Sequence, residues 1–125
     1  MSRDDLVVLA VDDDLINLKL LKSMLTKSGK VKEVIEARNG SDAIGELKAR
    51  DDIDLILLDI IMPIMGGIDM LKVVRADDNL RQLPIIVLTT DETKKAEALE
   101  CGANGFLMKP IRNEDLINKI KTVIV

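Results

Sequence analysis

Asp54-Leu-Ile-Leu-Leu-Asp59-Ile-Ile-Met-Pro63 sets four consecutive apolar residues directly before a carboxylate, and the proline soon afterwards closes off any continuing strand. A short unbroken apolar run bounded by turn signals reads as a fully buried parallel strand, because helices cover both faces of such a strand. In open sheets of that kind the ligand crevice lies beyond the carboxyl ends of the strands. Asp59 is therefore expected on its rim. Aspartate also starts turns and caps helices, so its meaning depends on what stands at the other strand ends.

Leu6-Val-Val-Leu-Ala-Val11 is a second run of the same kind, and it ends in Asp12-Asp13-Asp14. Ile85-Ile-Val-Leu88 follows Leu83-Pro84 and ends in Thr89-Thr90-Asp91, while Gly105-Phe-Leu-Met108 runs into Lys109-Pro110. Lys32-Glu-Val-Ile-Glu-Ala37 reads as a shorter strand ahead of an Asn39-Gly40 turn.

Between these runs the apolar residues take helical spacing. From Leu15 to Ser28 they fall at Ile16, Leu18, Leu20, Leu21, Met24 and Leu25, with Gly29 at the natural stop. Their arc is about 200° wide, more than packing on one sheet face needs. Either this helix is deeply packed, or its first turn, with Leu15 and Ile16, offers an apolar landing site to a partner. A second helix is expected from Ser41 to Arg50, where the interior Gly45 costs about 1 kcal/mol against alanine. Asp51-Asp-Ile-Asp54 reads as a solvated approach to the central strand. Gly66-Gly67 allows a tight turn into a helix carrying Ile68, Leu71 and Val74, and a short charged helix follows the fourth strand through Glu100. Asn113 is read as the N-cap of the last helix, whose Leu116, Ile117, Ile120 and Ile124 mark its buried stripe. Five strands alternating with five helices call for an α/β fold, a doubly wound parallel sheet with right-handed crossovers and helices on both faces.

Composition removes most chemistries. At 125 residues the chain is the size of one domain and too short for a two-domain enzyme. It is 47% hydrophobic and 32% charged, which is globular, without an apolar stretch long enough to span a membrane. The acidic N-terminus enters a strand at once and shows no signal peptide, so a cytoplasmic location is expected. A net charge of -4 with no basic run argues against direct nucleic-acid binding. Histidine is absent, which excludes Ser/His and Cys/His pairs and histidine metal sites. Phe106 is the lone aromatic residue and leaves no stacking platform for a flavin or nucleobase. Cys101, the single cysteine, reads as a small packed residue rather than a reactive thiol.

Parallel strands would bring Asp12, Asp13, Asp59, Thr89 and Lys109 to one crevice. Carboxylates gathered in this way repel unless a cation joins them, and an all-oxygen set suits Mg²⁺, which keeps several waters and takes few protein ligands. Lys109 adds a positive charge and Thr89 a hydroxyl donor for an anion. The anion that fits is a phosphoryl group, with Asp59 as the nucleophile that receives it.

With these residues in place, the chain resembles the receiver domains of two-component response regulators, the chemotaxis-regulator-like type included, over essentially its whole length, residues 1–125. The resemblance is carried by Asp12-Asp13, by Asp59-Ile-Ile-Met-Pro63 with Gly67, by Thr89, by Gly102-Ala103 with Gly105-Phe106, and by Lys109-Pro110. It implies a flavodoxin-like sheet of strand order 2-1-3-4-5 and a phosphoryl-aspartate at Asp59. It also implies Mg²⁺ held by Asp13, Asp59 and the backbone carbonyl of Ile61, with Asp12 holding a metal-bound water or joining the coordination. In this family the threonine at the Thr89 position moves to bond the phosphoryl group, the aromatic at Phe106 turns inward, Lys109 pairs with the anion, and the Lys109-Pro110 peptide is cis. The implied role is signalling, with a phosphoacceptor that assists its own phosphorylation and dephosphorylation but is not an enzyme. The implied partners are a histidine kinase or histidine phosphotransfer domain as donor, and a downstream protein or attached output domain as target. A phosphorylation-dependent homodimer through the fourth helix, fifth strand and fifth helix is a further expectation, with Lys94, Lys95, Glu97, Glu100, Lys119 and Lys121 as its charges.

Gly66 stands where the family often carries aspartate, and Phe106 where the chemotaxis type carries tyrosine, so Phe106 can report phosphorylation only through shape and apolar area. Ile61 and Asp91 hold positions that influence water's access to the acyl phosphate. A haloacid-dehalogenase-like phosphatase would use Asp12-Asp13-Asp14 as its Asp-x-Asp, but it leaves Asp59 and the Met-Pro loop without a purpose. A receiver-like module that is never phosphorylated usually lacks a key residue, and here all are present. A domain ending on its fifth helix is expected both of a stand-alone receiver and of one belonging to a longer protein.

Overall fold

The computed structural model describes residues 4–124. Strands β1 (Leu6–Val11), β2 (Val31–Ala37), β3 (Leu55–Asp59), β4 (Ile85–Thr89) and β5 (Gly105–Met108) form one sheet in the order β2-β1-β3-β4-β5. All neighbours run parallel. Helices α1 (Leu15–Lys27), α2 (Gly40–Ala49), α3 (Gly67–Ala76), α4 (Lys95–Glu100) and α5 (Asn113–Val123) make the crossovers, and a 3-10 turn, Glu92–Lys94, precedes α4. The runs of β1, β3 and β4 fold as the fully buried centre of the sheet because both their faces are covered, while β5 is a partly buried edge strand. Leu18, Leu21 and Leu25 of α1 join Leu116 and Ile120 of α5 on one face, while α2, α3 and α4 cover the other through Ala43, Leu47, Leu71, Val74 and Ala98.

Register places the strand-end residues. Val11 lies beside Leu58, so Asp12 and Asp59 stand level at the ends of β1 and β3. Asp59 lies beside Leu88, and Thr89 beside Met108, which carries Thr89 and Lys109 one residue further on the same edge.

Several local readings change. The apolar arc of α1 is not deeply packed: Leu18, Leu21 and Leu25 are buried, but Leu15 is 49%, Ile16 70% and Leu20 53% exposed. The N-cap of α5 is Arg112, with no side-chain cap bond, and Asn113 is the first helical residue. Asn39 is a cap rather than part of a free turn, since its side chain accepts from the Asp42 amide at 2.8 Å and donates back to the Asp42 carboxylate. The approach to β3 is only partly solvated, because Ile53 is buried and the Asp54 carboxylate accepts the Val7 amide at 2.9 Å. Gly67 is required by close approach, not by its φ. A Cβ there would come within 2.4 Å of the Asp59 carbonyl oxygen.

Arg75, at the end of α3, fastens the opposite edge. Its guanidinium donates five hydrogen bonds, to the carbonyls of Arg81, Leu83 and Gly102 and to Oδ1 of Asn104, all between 2.8 and 3.0 Å. Asn104 Oδ1 also accepts from the Ile85 amide, so one cation joins α3 to the starts of β4 and β5. Arg75→Met is expected to cost about 2–3 kcal/mol, because bonds to a charged donor are lost and carbonyls are left without it. Gly45→Ala is expected to gain about 1 kcal/mol, since a Cβ at Gly45 meets nothing within 4 Å in the interior of α2. Urea unfolding followed by circular dichroism checks both signs.

Candidate functional site

Four of the strand-end residues meet. Asp12 is 1% exposed and both of its oxygens are engaged: Oδ1 accepts the Asp14 amide at 2.9 Å, and Oδ2 accepts Lys109 Nζ at 2.8 Å. Lys109 Nζ also lies 3.3 Å from Asp59 Oδ1, which accepts the Ile60 amide at 3.0 Å. Asp59 is buried at 7% exposure, and no hydrogen bond reaches its Oδ2 among the described residues. Asp13 is exposed at the mouth, and one carboxylate oxygen each from Asp12, Asp13 and Asp59 lie within 4.8 Å of one another. The Lys109-Pro110 peptide is cis, as the resemblance implies.

Electrostatics follow from this crowding. Burial pushes the Asp59 carboxyl above its ordinary pKa, the Asp12 charge pushes it further, and Lys109 pulls it partly back. Burial by itself would lower the Lys109 ammonium. The hydrogen bond to Asp12 and the charges of Asp59 and Asp12 outweigh it, so the net shift is upward. Three carboxylates against one ammonium leave two negative charges at the site. One divalent cation balances them, and three carboxylate oxygens with room for water are a donor set that fits Mg²⁺.

Thr89 is fully buried at the end of β4, and its hydroxyl oxygen accepts the Asp91 amide at 3.1 Å. Val87 and Thr89 point to one sheet face, and Phe106, beside Val87 in register, lies half-buried on that face against the same core. Thr89 and Phe106 are therefore diagonal neighbours across β4 and β5. Ile61 is exposed on the β3–α3 loop. Within that loop Ile64 takes φ 68°, and the Met65 amide closes a tight turn on the Pro63 carbonyl at 2.7 Å. Cys101 is half-buried against the core, in keeping with a packing role.

Two contacts near the site have no signature in the sequence. Arg38 donates to the backbone carbonyl of Asp13 at 3.3 Å, and Lys95 Nζ stands 5.9 Å from the centroid of the Phe106 ring. Both join residues on different elements. A groove of about 840 Å³ lies at the opposite edge of the sheet between Leu47–Ile53 and Asp77–Leu83, and it shares no residue with the carboxylate cluster. Convergent charge, not concavity, marks the site.

Comparison with known proteins agrees with this geometry. The model of the response regulator receiver domain matches residues 8–121. Chemotaxis protein CheY1 of Helicobacter pylori is 37% identical over 120 residues, which cover 94% of this chain and 95% of that protein. A putative response regulator from Chloroflexus aurantiacus superposes with a TM-score of 0.90 at 30% identity, covering 96% of this chain and 98% of that one. The receiver domain of a sensor histidine kinase from Pseudomonas aeruginosa, solved with a magnesium ion coordinated in its active-site cleft, gives a TM-score of 0.86 at 27% identity, covering 96% and 98%. Sheet order, the acidic cluster under Lys109 and these likenesses coincide, and the chain belongs to the response regulator receiver domain family.

Proposed function

We propose that residues 1–125 form a receiver domain that accepts a phosphoryl group on Asp59 from a phosphohistidine of a histidine kinase or phosphotransfer protein, in the cytoplasm. The observation that carries this reading is the approach of Asp12, Asp13 and Asp59 to within 4.8 Å while Lys109 spans Asp12 and Asp59. Asp13, Asp59 and the Ile61 carbonyl would hold Mg²⁺, with Asp12 joining them or holding a metal-bound water. When bound, the ion neutralises charge on the transferring phosphoryl oxygens. Asp59 Oδ2, the oxygen without a partner, forms the new bond to phosphorus as the nitrogen–phosphorus bond of the donor breaks. Lys109 then has a phosphoryl oxygen to pair with, and the Thr89 hydroxyl, released from the Asp91 amide, donates to another.

The exposed apolar row of α1 fits the donor. Leu15, Ile16 and Leu20 are exposed on α1, and Leu20 lines a small groove of about 90 Å³ together with Asn17, Leu21, Met24, Lys109, Pro110 and Ile111. A protein presenting its phosphohistidine to Asp59 covers this rim. On the output side, Thr89 moving inward vacates volume on the sheet face that Phe106 shares, and the phosphoryl group shifts the population toward the arrangement it binds better. The surface of α4, β5 and α5 then presents its mixed charges differently to a downstream protein, an output domain or a second copy.

Incubation with Mg²⁺ and acetyl phosphate is expected to add one base-labile phosphoryl group, seen by intact-mass spectrometry in wild type and absent in Asp59→Asn. Equal labelling of the two would sink the assignment. The same variant carries a pH prediction. Because the folded pKa of Asp59 lies above its unfolded value, its contribution to stability is present below the unfolded pKa and lost as pH rises through the folded one. Metal-free Asp59→Asn should therefore melt above wild type at neutral pH, with the gap closing as pH falls below the ordinary aspartate range. Asp13→Ala should weaken Mg²⁺ by on the order of tenfold or more and reduce phosphorylation with it, read from thermal melts with and without the ion. Thr89→Ala should keep phosphate uptake while the amide shifts of α4, β5 and α5 no longer respond to beryllofluoride, which mimics the phosphoryl group. A full response in that variant would remove Thr89 from the coupling.

A further inference from the structure

Local physical chemistry gives α4 little support of its own. It has six residues and no side-chain cap bond; Asp91 caps only the 3-10 turn ahead of it, Lys94 and Lys95 stand at its N-terminal end beside a single first-turn carboxylate, Glu97, and Glu100 stands at its C-terminal end with no cation in the last turn. Cations at the positive end of a helix dipole and carboxylates toward the negative end are both unfavourable. Elements of this kind sit at the low end of local stability and are the ones that rearrange. Against that background Lys95 has a specific contact: its ammonium stands over the Phe106 ring at 5.9 Å, and it forms no ion pair among the described residues. The ring's negative face attracts the cation. The contact joins the first residue of α4 to the one aromatic ring of the chain, on the sheet face where Thr89 also lies.

We propose that Lys95 is a positioning residue of the phosphorylation switch: its ammonium, over the half-buried Phe106 ring, holds that ring and α4 in their present places, and so opposes the inward turn. The proposal rests on the switch reading given above and adds the element that sets its resting balance. A ring that turns inward leaves the ammonium behind, so the contact favours one of the two arrangements only. At an exposed site such a contact biases a two-state equilibrium by about two- to fivefold. That bias makes the unphosphorylated state quieter at the cost of weaker binding of the phosphoryl mimic.

The chain's own composition supplies the test. Tyr, Trp and His are absent and Phe106 is the lone phenylalanine, so its ring gives the protein's aromatic carbon–proton signals without assignment. Ring signals are followed in wild type, Lys95→Gln and Lys95→Arg during titration with beryllofluoride and Mg²⁺, with the Ile60 amide reporting binding at Asp59. Lys95→Gln is expected to show free-state ring signals already displaced toward the saturated position and a midpoint about two- to fivefold lower. Lys95→Arg, which keeps the cation, should follow wild type. Coincident free-state signals and equal midpoints in Lys95→Gln and wild type would overturn the proposal while leaving the switch intact. If the Ile60 amide saturates and the wild-type ring does not move, the switch reading itself fails and the role of Lys95 falls with it.

Discussion

The ammonium of Lys109 is the constraint from which the rest of the site follows. In a sheet ordered β2-β1-β3-β4-β5, Lys109 leaves the end of β5 and reaches past β4 to Asp59 and Asp12, at the ends of β3 and β1. Without it, two buried carboxylates would face each other with no ion-pair partner among the described residues. A buried ion pair is weak evidence of stability, since desolvation cancels much of the attraction. The upward shift of Asp59 expresses that cost. What Lys109 secures is geometry: it fixes Asp12 and one oxygen of Asp59, and leaves the other oxygen of Asp59 without a hydrogen-bond partner among the described residues.

The two faces of the sheet divide the remaining work. On the face of α1 and α5 the core consists of large, fully buried aliphatic side chains, which leaves little room for alternative packings. The other face carries Thr89 and Phe106 beside α4, a six-residue helix whose one buried residue is Ala98 and whose Lys95 stands over the ring. Strain is concentrated at the site as well. Ile64 is a β-branched residue at φ 68°, a conformation costing about 1–3 kcal/mol that persists only where the surroundings enforce it. They do so through the Gly67 amide on the Ile60 carbonyl and the Gly40 amide on the Met65 carbonyl, each at 2.9 Å. The side chains of neither glycine position could be larger without displacing this loop.

Much of this was legible in the sequence because it depends on pattern. Unbroken apolar runs have one stable setting, a sheet covered on both faces, and parallel strands bring Asp12, Asp59, Thr89 and Lys109 to one edge whatever the details of packing. Features that depend on a distant partner were not legible. Asn113 has the chemistry of an N-cap, yet the helix begins one residue earlier and leaves it inside the first turn. The width of the α1 arc was plain, but whether a neighbour covered Ile16 and Leu20 was not, and none does. Nothing in the pattern singles out Arg75, and Lys95 reads only as one charge of a mixed surface. Their roles come from carbonyls 6 to 29 residues away and from a ring 11 positions along the chain, which no periodicity records.

The proposed donor and output surfaces would therefore communicate through very few atoms. The apolar row of α1 lies on one side of the sheet and α4 on the other, with fully buried strand residues between them. The segment Lys109-Pro110-Ile111 links the two: it lines the groove beside α1, carries the ammonium that holds Asp59, and follows β5, the strand that bears Phe106. On the proposed reading, a phosphoryl group engaging Lys109 would act on the strand that bears the ring, and one engaging Thr89 would act on the neighbouring strand and, through the Asp91 amide, on the 3-10 turn ahead of α4. Close packing of the sheet core makes such small shifts discrete rather than gradual. In the proposed switch, a closely packed core and a short α4 would direct the free energy of phosphorylation to that helix.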